Sequence, residues 1–145
     1  MAINLMRILL AEDDFDDCEL FADALDEINC GADLKTVNDG EQLINFLTHC
    51  MESLPSGLFL DLNMPGKNGM ECLIEIRQKE IYNSLEVIIF STSFDSQIVE
   101  ELRKNGARHY IRKPNEFSQL KKVIALAVDS INNKPGNSGN FELKP

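Results

Sequence analysis

The sequence predicts an α/β domain with a mostly parallel sheet of five strands and with five helices. Short β-rich runs alternate along the chain with longer amphipathic stretches. Three of the short runs are nearly continuously apolar, which is typical of parallel strands buried on both faces. The length of 145 residues fits one domain, and an apolar fraction of 43% suffices for an ordinary core.

The five predicted strands differ in polarity, and this indicates where each lies in the sheet. The runs Arg7–Ala11, Leu58–Asp61 and Glu86–Phe90 are nearly apolar and are expected in the buried part. Asp33–Val37 is more polar, so we expect this strand at an edge. His109–Ile111 is the last of the five predicted strands.

Helical periodicity fills the segments between these strands and the segment after the last one. Apolar residues recur there three or four positions apart, as on one face of a helix. The stripes are Phe21, Leu25 and Ile28; Leu43, Ile44 and Leu47; Met70, Leu73 and Ile74; Ile98 and Leu102; and Leu120, Val123, Ile124, Ala127 and Ile131. Right-handed crossovers would distribute these helices over both faces of the sheet.

The composition changes after residue 131, where Asn, Gly, Ser and Pro dominate. The predicted domain therefore covers residues 1–131, and residues 132–145 are predicted to form a flexible tail. Phe141 and Leu143 are the large apolar groups of this tail, so its end could dock on a partner.

The charge distribution argues against nucleic-acid binding. The chain has 14 basic and 24 acidic residues, a net charge of −10. Residues 1–61 hold 14 acidic and 2 basic residues, a net of −12, which leaves +2 for residues 62–145. A protein that binds a phosphate backbone needs clustered Lys and Arg, which this chain lacks.

The N-terminus and the cysteines indicate a cytoplasmic protein that is not inserted in a membrane. The chain has no apolar run of about 18 residues, so no membrane-spanning helix is predicted. The apolar segment near the N-terminus runs directly into Glu12, unlike a signal peptide. The four cysteines form no CxxC pattern and are predicted to be free thiols.

Acidic residues follow two of the apolar strands at the end where parallel sheets bind ligands. Glu12–Asp14 follow the first strand, Asp61 ends the third, Ser91 follows the fourth, and Lys113 follows the fifth. Converging carboxylates repel one another unless a cation binds them. Hard oxygen ligands without paired His or Cys favour Mg²⁺ over zinc.

Four motifs in register carry a resemblance to a known family: RILLAEDD, LFLDLNMPGKNG, VIIFSTS and GARHYIRKP, spanning residues 7–114. Ser91 follows Asp61 by 30 positions, and Lys113 follows Ser91 by 22. With these motifs and spacings the chain resembles the receiver domain of bacterial two-component response regulators. The resemblance implies a flavodoxin-like, doubly wound sheet with strand order 2-1-3-4-5.

The resemblance assigns a chemical role to each strand-end residue. Asp61 matches the phosphoacceptor, whose carboxylate takes a phosphoryl group from a phosphohistidine. Glu12 and Asp13 match the acidic pair that holds Mg²⁺ together with Asp61 and the backbone carbonyl of Asn63. Lys113 would neutralise phosphoryl charge, so that three carboxylates and one lysine leave −2 for one Mg²⁺ to balance. No organic cofactor is implied.

Further positions match the switch and the structural residues of the family. Ser91 matches the hydroxyl that binds a phosphoryl oxygen, and Tyr110 the aromatic side chain that rotates inward with it. Pro65 belongs to the turn after the phosphoacceptor, and Gly69 opens the third helix. Pro114 matches a cis proline that directs Lys113 into the site.

Two residues depart from the usual pattern of the family, and one motif indicates a subgroup of it. Glu12 replaces the more usual Asp and could hold the metal through water. Thr92 replaces a smaller residue, which would narrow access to the phosphoryl group and leaves the autophosphatase rate open. Receivers with STS at this position and no output domain resemble those paired with bacterial phytochromes.

The implied function is a stand-alone receiver that switches partner binding or relays phosphate, rather than a classical enzyme. Its expected partners are a sensor histidine kinase or a phosphotransfer protein, and a second copy could bind through about residues 96–131. The alternatives are a pseudo-receiver that is never phosphorylated, a flavodoxin-like FMN carrier and a haloacid-dehalogenase-type phosphatase. The acids after the first strand would repel the FMN phosphate, and Asn63 stands where the phosphatase needs an acid.

Overall fold

A computed structural model describes residues 6–50, 53–133 and 140–145. The strands are β1 (Arg7–Ala11), β2 (Asp33–Val37), β3 (Gly57–Leu60), β4 (Glu86–Ser91), β5 (His109–Arg112) and β6 (Glu142–Leu143). They form one sheet in the order β2-β1-β3-β4-β5-β6, with every neighbouring pair parallel. The flavodoxin-like fold and the order of the first five strands are therefore confirmed, with β2 at the predicted edge.

Within the described residues, five α-helices connect the strands, and capping side chains explain where four of them begin. They are α1 (Phe15–Glu27), α2 (Gly40–His49), α3 (Gly69–Arg77), α4 (Ser96–Lys104) and α5 (Phe117–Asn132), with a short 3₁₀-helix at Glu80–Tyr82. Asp14, Asp39, Asn68 and Asp95 cap the first four with side-chain oxygens that accept backbone N–H bonds. Such caps satisfy amide groups that have no partner inside a helix.

The core lies in two layers, one on each face of the sheet. On one face, side chains such as Leu43, Leu73 and Leu102 pack under α2, α3 and α4. On the other face, Phe21 of α1 and Val123 and Ile124 of α5 pack on β1, β3 and β4. Because β1, β3 and β4 contribute to both layers, their sequences are apolar throughout rather than alternating.

The sixth strand differs from the prediction of a flexible tail over residues 132–145. Leu143 pairs with Ile111, and the backbone N–H of Tyr110 donates to the Phe141 carbonyl at 3.0 Å. The exposed edge of β5 thus gains hydrogen-bond partners that the composition of the tail did not indicate. Helix α5 also continues one residue further than predicted, to Asn132. Residues 134–139 of the predicted tail lie outside the described residues, and the domain boundary stays a prediction.

The described residues contain no helix that is both long enough and apolar enough to cross a membrane. All four cysteines are free, as predicted: Cys72 is buried, Cys18 and Cys50 are half-buried, and Cys30 is exposed.

Candidate functional site

The two chain segments that carry the acidic residues are held side by side by backbone hydrogen bonds. The N–H of Asp61 donates to the carbonyl of Ala11 at 3.1 Å, and the N–H of Glu12 donates to the carbonyl of Val37 at 3.0 Å. These bonds continue the parallel ladder one residue beyond the ends of β1 and β3. The strand-end carboxylates therefore meet at one edge of the sheet, as the strand order requires.

Three carboxylates and one ammonium group converge in this crevice. One oxygen each of Glu12, Asp13 and Asp61 lies within 4.8 Å of the other two. Glu12 and Asp61 are buried, whereas Asp13 is exposed to solvent. Lys113 Nζ donates to Glu12 and lies 3.9 Å from Asp61 Oδ2. The geometry brings together the four residues that the sequence singled out.

Burial dominates the titration of the two inner carboxyl groups. It raises the pKa of Glu12 from 4.5 to about 7, although the hydrogen bond from Lys113 acts in the opposite direction. Burial also raises the pKa of Asp61, and the charge of Lys113 partly offsets it. Burial lowers the pKa of Lys113, but its bonds to Glu12 and Asp17 outweigh this, so the net change is upward. Ionised Glu12 and Asp61 therefore raise the free energy of the folded protein unless a further cation binds beside them.

The donor set fits a divalent metal ion. It consists of carboxylate oxygens at mutual distances that one ion can bridge, without His or Cys ligands. Asp13 faces solvent, so an ion held there could keep water ligands, as Mg²⁺ usually does. Asn63 lines the same cavity, and its backbone N–H donates to Asp61 Oδ1 at 3.4 Å. The role of its carbonyl as a ligand stays a prediction.

The predicted switch residues Ser91 and Tyr110 lie next to this crevice and are fully buried. Ser91 Oγ lies 3.2 Å from Ser93 Oγ and accepts the Ser93 N–H at 3.3 Å. The Tyr110 hydroxyl donates to the Ser93 carbonyl, and its ring packs edge-to-face on Phe94 with centroids 6.0 Å apart. The tyrosine thus points inward, toward the loop that follows β4.

The structure supports the three predicted structural residues, Pro65, Gly69 and Pro114, to different degrees. Gly69 opens α3 as predicted, and an added Cβ there would lie 2.4 Å from the backbone oxygen of Asp61. Pro65 is exposed in the loop between β3 and α3. The resemblance to the family implied a cis bond before Pro114, but no cis peptide bond occurs among the described residues. Instead, the Lys113 N–H donates to the Ser91 carbonyl at 2.8 Å, which holds the lysine beside β4.

Two residues that contact Lys113 were not predicted from the sequence. Asp17, in the first turn of α1, accepts from Lys113 Nζ at 2.9 Å. The Phe90 ring lies under the same ammonium, 5.5 Å from its centroid. The position of Asp17 four residues after Asp13 could have placed it near the strand end, but its contact with Lys113 spans 96 residues. With Asp17 included, the count of −2 left for a metal ion becomes −3.

The carboxylates and Lys113 line an open cavity of about 600 Å³ together with Asp14, Phe15, Asp16, Asn63 and Thr92. A doubly wound sheet with an acidic trio and a lysine at its carboxyl edge is the arrangement that the resemblance to receiver domains implied. The response regulator receiver domain family matches residues 8–125, and the chain belongs to this family.

Two response regulators are similar to this chain in sequence. The probable C4-dicarboxylate response regulator DctR of Bacillus subtilis is 28% identical over 124 residues, covering 86% of this chain and 53% of DctR. This chain thus spans about half the length of DctR. Response regulator Rcp1 of Synechocystis is 29% identical over 121 residues, covering 81% of this chain and 82% of Rcp1.

Solved structures give the same assignment. The phosphorylated cyanobacterial phytochrome response regulator RcpA has 27% identity and a TM-score of 0.80, covering 92% of this chain and 98% of RcpA. The Mn(2+)-bound form of Rcp1 has 26% identity and a TM-score of 0.76, covering 93% of this chain and 99% of Rcp1. The predicted similarity to phytochrome-linked response regulators is confirmed.

Proposed function

We propose that this receiver accepts a phosphoryl group on Asp61 and thereby switches partner binding or relays the phosphate. The observation that carries the proposal is the arrangement of Asp61, which is buried among Glu12, Asp13 and Lys113 in an open cavity. A pseudo-receiver would not require this combination of a nucleophile, an acidic trio and a fixed ammonium. The similar response regulator RcpA was crystallised in its phosphorylated form, which supports the same chemistry.

In the proposed step, a carboxylate oxygen of Asp61 forms a bond to phosphorus as the bond from phosphorus to a donor imidazole nitrogen breaks. The imidazole leaves with the electron pair of that bond and takes up a proton. Lys113 Nζ is close enough to stabilise charge on the phosphoryl oxygens, and Ser91 would donate its hydroxyl to one of them. Mg²⁺ held by Glu12, Asp13, Asp61 and the Asn63 carbonyl would neutralise further negative charge.

The proposed phosphodonor is a sensor histidine kinase or a phosphotransfer protein in the cytoplasm. The acidic surface of residues 1–61 argues against nucleic acid as a direct partner. A homodimer through α4, β5 and α5 stays a prediction, and it would have to accommodate β6, which occupies the edge of β5.

The experiment is intact-mass measurement of the protein after incubation with Mg²⁺ and acetyl phosphate. The wild-type chain should gain one phosphoryl group, and Asp61→Asn should gain none. Asp16→Asn is the matched control, because Asp16 lines the same cavity outside the metal-ligand trio. This control should still gain the phosphoryl group.

Two results would contradict the proposal. The first is a wild-type protein that gains no phosphoryl group from acetyl phosphate or from any histidine kinase offered to it, which would favour the pseudo-receiver. The second is an adduct that persists in Asp61→Asn, since this would locate the acceptor elsewhere. Omitting Mg²⁺ tests the metal separately, because acceptance should then fall sharply.

A further inference from the structure

We infer that Asp17 is a positioning residue that restrains Lys113 in the unphosphorylated state and so shortens the lifetime of the phosphorylated one. This inference rests on the proposed function of Asp61. Lys113 Nζ lies 2.9 Å from Asp17 Oδ2 but 3.9 Å from Asp61 Oδ2. The lysine is thus bound more closely to a residue outside the acidic trio than to the phosphoacceptor.

The position of Asp17 is well defined by the start of α1. Asp14 caps this helix, and its Oδ1 accepts the N–H of Asp17 at 3.0 Å. This bond orients the first turn so that the Asp17 carboxylate reaches the end of the Lys113 side chain. The contact therefore joins α1 to the loop between β5 and α5, beside the crevice.

The ion pair between Lys113 and Asp17 is partly shielded from water, which strengthens the attraction between the two charges. The side chain of Lys113 is 10% exposed and that of Asp17 is 34% exposed. Lys113 also packs its ammonium over the ring of Phe90. Because solvent screening is weaker here than at an open surface, the attraction between Lys113 and Asp17 exceeds that of an ordinary surface pair.

A phosphoryl group on Asp61 would compete with Asp17 for the same ammonium. Glu12, the other carboxylate bonded to Lys113, belongs to the proposed metal-ligand trio, whereas Asp17 does not. Asp17 thus holds the lysine back from Asp61. Without this restraint, Lys113 would bind the phosphoryl oxygens of the ground state more tightly, which would raise the barrier to loss of the phosphoryl group and lengthen the phosphorylated lifetime. In the loss reaction, a water oxygen bonds to phosphorus, the bond from phosphorus to Asp61 breaks, and carboxylate, inorganic phosphate and a proton are released.

The test compares Asp17→Asn with Asp16→Asn. Both variants remove one negative charge from the same cavity rim, but only Asp17 bonds to Lys113. After labelling with acetyl phosphate, the phosphorylated lifetime of Asp17→Asn should exceed that of Asp16→Asn by about two- to fivefold. Mg²⁺ affinity, measured by calorimetry, should be equal in the two variants, which separates positioning of the lysine from an effect on the metal.

A second readout needs neither metal nor phosphate. In a double-mutant cycle on unfolding, Asp17→Asn and Lys113→Gln should be clearly non-additive, whereas Asp16→Asn and Lys113→Gln should be nearly additive. Equal lifetimes in the Asp17 and Asp16 variants, or an additive Asp17 cycle, would overturn this inference and leave the proposed function intact. A wild-type protein that never accepts a phosphoryl group would overturn both.

Discussion

At the scale of single residues, the site places carboxylates close together in a buried position, where their ionisation costs free energy. Glu12 and Asp61 are buried beside each other, and burial raises the pKa of both carboxyl groups. Lys113 offsets part of this cost through direct contacts. The remaining negative charge favours the binding of a cation in the crevice. The contribution of each carboxylate can therefore be measured as the change in metal affinity when it is substituted.

Asp13→Asn should lower the affinity for Mg²⁺ by at least about tenfold, since even residues that only support a metal ligand often contribute that much. The exposed Asp13 carboxylate completes the trio of oxygens that lie within 4.8 Å of one another. Calorimetric titration with Mg²⁺ measures the change, with Asp16→Asn as the control. Without metal, Asp13→Asn should melt at a higher temperature than wild type, because one repulsive charge is removed. Unchanged Mg²⁺ affinity would exclude Asp13 as a ligand.

The residues of the site could be predicted to different degrees. Glu12, Asp61 and Lys113 directly follow strands and Ser91 is the last residue of β4, so a correct strand order brings all four to one edge. Asp17 was missed because it comes from a helix, and its partner Lys113 is 96 positions away. The strand order predicts which loops lie side by side at the edge of the sheet. It does not predict which side chain of a neighbouring helix contacts those loops.

At the scale of elements, the turn after β3 connects Asp61, the proposed phosphoacceptor, to α3. The Gly69 N–H donates to the Leu62 carbonyl at 3.0 Å, and Asn68 caps the helix in a reciprocal capping box with Glu71. An added Cβ at Gly69 would meet backbone atoms of Asp61 and Leu62 at 2.4–3.0 Å. The start of α3 is therefore packed directly on the backbone of Asp61 and Leu62.

Gly69→Ala should destabilise the protein by about 1–3 kcal/mol, since backbone atoms rather than flexible side chains must move. It should also impair phosphoryl acceptance, because the displaced backbone includes Asp61. Gly66→Ala is the matched control: Gly66 has a φ of +72° with open space around it. That change should cost about 1 kcal/mol of backbone strain and leave acceptance intact. Urea unfolding and intact mass measure both effects; normal acceptance by Gly69→Ala would refute this coupling.

The strands β1, β3 and β4 were predictable because most of their residues are apolar. Predicted and observed bounds agree within one residue at β1 to β5. The two-residue β6 carries no periodic signal of its own, since it forms by adding to the edge of β5. Its pairing depends on tertiary contacts with a strand about 30 residues earlier, which local composition does not encode.

At the scale of the whole molecule, His109 ties the C-terminal segment to the domain. Its Nδ1 lies 3.2 Å from the carbonyls of both Asn140 and Phe141, and its Nε2 lies 2.7 Å from Ser130 Oγ on α5. Carbonyl oxygens only accept hydrogen bonds, so Nδ1 carries a proton. When the ring is neutral, Nε2 has no proton and accepts from the Ser130 hydroxyl. The neutral imidazole satisfies every one of these contacts and joins β5, α5 and the segment that forms β6.

The stability of the protein should therefore depend on the protonation of His109. Burial lowers the pKa of His109; the charge of Arg108 also lowers it, while the Phe141 and Asn140 carbonyls and the charge of Glu86 act in the opposite direction. Below about pH 6.5 the unfolded chain binds a proton that the folded chain resists. The free energy of unfolding should consequently fall as the pH drops from about 6.5 toward the folded pKa.

The measurement is urea unfolding of wild type and His109→Gln at several pH values between about 5 and 7.5. The wild-type free energy of unfolding should decrease more steeply on acidification than that of His109→Gln, which has no titrating group there. Other titrating groups are common to both proteins, so their contributions cancel in the difference. His49→Gln, at the exposed end of α2, is the control for the loss of an imidazole, and its slope is compared with the wild-type slope. If His109→Gln also keeps that slope, protonation of His109 is not what links the C-terminal segment to the stability of the domain.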